Sequence, residues 1–93
     1  MPTYEIAHVK EQGVDLIIVP LESSFGSLTS QDQHEQIANL QAHSRGAGLA
    51  GTVVPVWDSG GRMAFIAPTR WHPFFQSINL QWVAMNINRQ LSW

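Results

Sequence analysis

The sequence predicts an α+β fold: a four-stranded antiparallel sheet in ββαββα order with both helices packed on one face. Three observations carry that expectation. Two segments, TYEIAHVKEQGVDLIIVPL and GTVVPVWDSGGRMAFIAP, each set two runs of β-favouring residues around a glycine-containing turn. Each segment is followed by a stretch whose apolar residues recur at helical spacing. At 93 residues, with 44% hydrophobic and only 13% charged, the chain is long enough for one core and predicts a single domain over 1–93.

The first strand alternates Tyr4, Ile6 and His8 with Glu5, Ala7 and Val9, the period of a half-buried strand. Gly13 supplies the turn. Val14 to Val19 is apolar on both sides, with Leu16 and Ile18 opposing Ile17 and Val19. Such a strand needs cover on both faces, which two helices on one side do not supply. Pro20 ends its pairing, because proline brings no N–H to a ladder.

A small polar loop around Phe25 leads to the first helix. Ser30 followed by Gln33 has capping-box spacing, and the helix runs through QDQHEQIANLQAHS to a stop at Gly46 or Gly48. Its apolar stripe is narrow, essentially Ile37 and Leu40, so most of this helix faces water. In the second hairpin DSGG is the turn, and Pro55 demotes its strand to an edge or a bulge.

TRWHPFF then turns the corner into the last helix. A residue before proline is pushed out of helical geometry, so His72 is expected to be extended, with Pro73 in the first helical position. One helix is predicted from there to Ser92. At 100° per residue, Leu80, Val83, Ala84, Ile87 and Leu91 form a core-facing stripe. Phe75, Ile78, Trp82, Met85, Arg89 and Trp93 fall on the opposite side. A second apolar face on a small domain points to a partner, and Trp, Met and Arg are common anchors in interfaces.

Composition narrows the function. There is no cysteine, which excludes disulfides, thiolate metal sites and a cysteine nucleophile. Charge is uneven along the chain. All seven acids lie at or before Asp58, against Lys10 and Arg45, whereas the rest carries only Arg62, Arg70 and Arg89. Those three arginines with the nearby tryptophans are too few for a nucleic-acid footprint, so nucleic acid is not the expected partner class. No run of about 20 apolar residues occurs. No membrane association and a cytoplasmic location are expected.

Catalytic patterns are sparse. His8, His34, His43 and His72 have no metal-ligand spacing, and no P-loop, G-x-G-x-x-G or G-x-S-x-G occurs. No metal and no cofactor is expected. The start MPTYEI resembles the tautomerase superfamily, whose chains begin Met-Pro before a strand; that resemblance implies Pro2 as an amine base. In that family a helix follows the first strand, and here VDLIIVP intervenes.

The sequence therefore points to a non-enzymatic module that self-associates or docks on another protein. The expected contacts are Trp82, Met85, Arg89 and Trp93 on the outer helix face, with Trp71 beside them. The alternative is a small-molecule or anion-binding protein, an enzyme included, with Thr69, Arg70 and His72 at the corner before a helix N-terminus.

Overall fold

The computed structural model describes residues 3–92. Pro2 and Trp93 lie outside the described residues. Among those described, the strands are β1 (Thr3–Glu11), β2 (Val14–Pro20), β3 (Thr52–Ser59), β4 (Arg62–Phe65) and β5 (Arg89–Ser92). The helices are α1 (Ser30–Gly46), α2 (His72–Ser77) and α3 (Leu80–Met85), with 3-10 turns at Ser23–Ser27 and Thr69–Trp71. All five strands join one mixed sheet in the order β4-β3-β2-β1-β5.

Both hairpins form where the sequence predicts them. Glu11 pairs with Val14 and Ser59 with Arg62, leaving two-residue loops. Gln12 (φ 51°) and Gly13 (φ 76°) close the first; Gly60 (φ 64°) and Gly61 (φ 89°) close the second. Positive φ at both loop positions gives the twist that suits a tight hairpin.

The expected all-antiparallel pairing is corrected at β2–β3, which are parallel, with Ile17 opposite Val53 and Val19 opposite Pro55. The cause is the connection. A strand, a 17-residue helix and a strand form a crossover that returns the chain to the end where it began.

The helices also divide between the two faces rather than sharing one. On one face Leu40 of α1 packs on Ile6, Ile17, Val19, Val53 and Leu91, with Ile37 alongside. On the other, Trp71, Phe75 and Val83 pack on Ala7, Leu16, Ile18, Val54 and Val56. The result is three layers, and it explains the both-sided apolar run of β2. That strand is the centre of the sheet, and helices of this same chain cover both its faces. β1 is likewise buried on both sides, at Ile6 and Ala7.

The single C-terminal helix is the largest correction. It is broken into α2, α3 and the edge strand β5. Ile78 (φ −114°, ψ 175°) and Asn79 (φ −140°, ψ 178°) are extended, and the Asn79 side chain caps α3 by accepting from the Trp82 N–H at 2.8 Å. Asn86 ends α3 and donates through its carboxamide to the Trp82 carbonyl at 2.8 Å. Short amide side chains compete with the backbone for helical hydrogen bonds, and this segment has three of them. The third, Asn88, serves β5. Residues 89–92 then pair antiparallel with Ile6 to Thr3. Leu91 thus reaches the α1 face, while Leu80, Val83 and Ile87 lie on the opposite one.

Smaller corrections follow the same logic. The α1 cap is Thr29, one residue before the expected Ser30; its hydroxyl accepts from the Asp32 N–H at 3.1 Å. Gln33 instead donates to the Phe25 carbonyl at 2.9 Å, tying the preceding turn to the helix. His72 is helical (φ −55°, ψ −45°), not extended. A 3-10 turn delivers the chain to it, and its ring is held by the Ala67 carbonyl at 3.0 Å and by the edge of Phe65. β3 lies between two strands despite Pro55. The Pro55 carbonyl takes the Ile66 N–H at 3.2 Å, so its nitrogen faces the point where pairing with β4 stops. The missing donor falls at the end of a ladder.

Candidate functional site

α3 has one buried face and one open face. Val83 points into the core, and Leu80 packs beside it. Trp82 and Met85, three positions apart, share the outer side of the helix. Trp82 is half-buried, standing edge-on against Phe74 with ring centroids 5.8 Å apart. Met85 is 78% exposed. Together with Ser77, Ile78, Asn79 and Gln81 they border a shallow depression of about 250 Å³. No charged residue lines it.

The structure brings together only part of the surface expected from the sequence. Trp71 is buried under the sheet with Phe75 and does not reach that depression. Arg89 lies on β5 opposite Ile6. Directly paired residues share a sheet face, which puts Arg89 on the α1 side, across the sheet from Trp82. Trp93 is outside the described residues. The loop around Phe25 does not cover Trp82 either; Phe25 packs instead on Trp57, with centroids 5.0 Å apart. Trp82 and Met85 therefore remain as a pair. Ile78, expected on that face, lines the depression with them, and Gln81 of α3 is the addition; the asparagine at position 79 is the signal for the break between the helices.

At the Thr69–Pro73 corner, Thr69 and Arg70 are exposed, and the Arg70 guanidinium lies 5.3 Å from the centroid of the Trp71 ring. A cation over an aromatic face is itself a stabilising contact. His72 is committed to the Ala67 carbonyl and Arg70 to the Trp71 ring, so two of the three residues expected to gather around an anion have separate partners. Among the described residues no three His, Asp or Glu side chains are grouped to hold a metal ion. No helix in that range is long and apolar enough to cross a membrane.

Comparison with known proteins gives no relative: no protein-family model, no curated protein and no solved structure matches this chain.

Proposed function

We propose that the chain is a non-enzymatic cytoplasmic module that pairs with a second copy of itself through the outer face of α3. The observation that carries this reading is the 78% exposure of Met85. The side chain is a flexible apolar knob, and the depression beside it is a hole on the same surface. A two-fold axis between them would seat each Met85 in the other copy's depression, against Ile78 and Trp82. Self-complementarity of one patch is what two-fold pairing requires.

Charge supports the same partner. Two copies of a chain with a net charge of −2 carry a modest mutual repulsion. The α3 face has no charged lining residue, so copies meet there without like-charge cost. The patch is small, which makes the pairing transient rather than obligate, in the class that buries less than roughly 1,200 Å² in total.

Sedimentation velocity over a concentration series tests the reading. The expected result is a monomer–dimer equilibrium in the wild type that Met85→Glu abolishes. Both proteins should keep the same far-ultraviolet circular dichroism, because exposed substitutions shift stability by only about 0.5 kcal/mol. A wild type that stays monomeric up to millimolar concentration, or a Met85→Glu protein that dimerises as before, would overturn it.

A further inference from the structure

On the opposite side of the sheet, a cleft of about 560 Å³ opens where β1 begins and β2 ends. Its place follows from the topology. α1 packs its Ile37 and Leu40 over this face of the sheet, and β5 extends the sheet on the other side of β1. The cleft lies between the Tyr4 end of β1, the segment that follows β2, and Gln36 of α1. Leu21, Leu28 and the edge of the buried Phe25 give its lining an apolar part, and Gln36 of α1 with Ser24 and Glu22 a polar one.

Leu28 is the second large apolar side chain that is exposed among the described residues, at 39%, and the α3 face does not account for it. The volume is within the roughly 300–1,000 Å³ of small-molecule sites, which combine apolar walls with a few polar groups. The ionic character is one-sided. Glu22 and Glu5 are among the lining residues, and no lysine, arginine or histidine is. The Glu22 carbonyl accepts from the Phe25 N–H at 3.0 Å, while its exposed carboxylate takes part in no hydrogen bond or ion pair among the described residues.

From the apolar walls and the unpaired carboxylate beside them, we infer that this cleft binds a small organic cation: an amine carrying an aromatic or branched aliphatic body. The body lies against Leu21, Phe25 and Leu28, and the ammonium group meets Glu22. A guest in this cleft sits across the sheet from α3, so it leaves the proposed dimer surface free. The two readings can fail separately.

The test is a titration of the isotope-labelled protein, followed by amide shifts, with three probes of one shape. These are 2-phenylethylamine (a cation at pH 7), 2-phenylethanol and 3-phenylpropionate. The expected result is saturable shifts at Tyr4, Leu21 and Gln36 with the amine, and at least fivefold weaker binding of the other two. Glu22→Gln should weaken the amine about fivefold, the scale of a part-exposed ion pair, without altering the rest of the spectrum. Glu22→Lys should reverse the order, so that phenylpropionate binds best. Shifts that do not saturate, that map elsewhere, or that are equal for cation and anion would overturn the assignment. Amine affinity unchanged in Glu22→Lys would do the same.

Discussion

The carboxamide of Asn88 spans the backbone of His8, accepting from its N–H at 2.9 Å and donating to its carbonyl at 2.8 Å. Asn88 itself is not part of β5, yet its side chain gives β1 both bonds that one more residue of strand would give. The Asn88 backbone N–H adds a third, to the Ile6 carbonyl at 3.0 Å. One side chain thus prolongs the ladder beyond its last strand residue. Asn88→Ala should cost about 1 kcal/mol, since water partly replaces the lost bonds at this exposed site. That corresponds to a fall in melting temperature of about 4–8 °C, measurable by calorimetry, with faster hydrogen exchange at the His8 amide.

Gln41 does the same for β3 from the other side of the molecule. Its carboxamide donates to the Gly51 carbonyl at 3.0 Å and accepts from the Val53 N–H at 3.0 Å. These groups face the stretch of β3 that β4 does not reach. Both bonds are part-buried, so Gln41→Leu leaves a donor and an acceptor poorly served. The expected loss is about 2–3 kcal/mol in chemical denaturation. Gln41→Glu retains the acceptor for Val53 but sets a carboxylate against the Gly51 carbonyl. Its deficit should narrow below about pH 4, where the protonated acid donates as the amide did.

Gly26 has no room for a side chain. A Cβ built there would lie 2.5 Å from Nε1 of Trp57, the ring against which Phe25 packs. Gly26→Ala must displace the indole or the turn, with an expected cost of about 1–3 kcal/mol. A shift of the Trp57 indole N–H resonance, with the other indole resonances little changed, would locate the effect. Unchanged stability would show that the 3-10 turn yields freely.

Gln12 is the sole non-glycine residue with positive φ among those described, at 51°. That conformation is strained for a long side chain, by roughly 1 kcal/mol. Asparagine tolerates it, and Asn-Gly is the preferred pair for such a loop. Gln12→Asn should therefore raise the denaturation midpoint by about 0.5 kcal/mol in stability without changing its slope. A neutral or lower midpoint would mean that Gln12 makes compensating contacts in the native turn.

Much of the architecture is legible in local chemistry. Val14 to Val19 announces a strand covered on both faces; Gly13 and Gly60–Gly61 announce tight turns; Ile37 and Leu40 announce the seam of α1. What escapes is the partner of each element. Parallel and antiparallel strands use the same residues, and only the intervening helix distinguishes β2–β3 from a hairpin. The C-terminal segment misleads for a definite reason. Leu80, Val83, Ile87 and Leu91 fit a helical period, yet Leu91 belongs to a strand, and four residues of RQLS are too few to show alternation. The signal for the break lies in three asparagines: Asn79 and Asn86 bond to the backbone at the two ends of α3, and Asn88 bonds to His8 of β1. The same error joined Arg89 to Trp82 and Met85, because its place there depended on an unbroken helix. Trp82 and Met85 are close enough in sequence for their relation to survive the break.

The β1–β5 pairing also has a consequence for how the chain folds. Asn88 and His8 are separated by 80 positions, and nearly the whole chain must be in hand before they meet. Bringing distant segments together costs loop entropy before any contact repays it, which slows folding. Until that closure, the β1–β2 hairpin carries a bare flank able to pair with another chain. A truncation before Arg89 would make that exposure permanent, turning a folding intermediate's hazard into a standing tendency to aggregate.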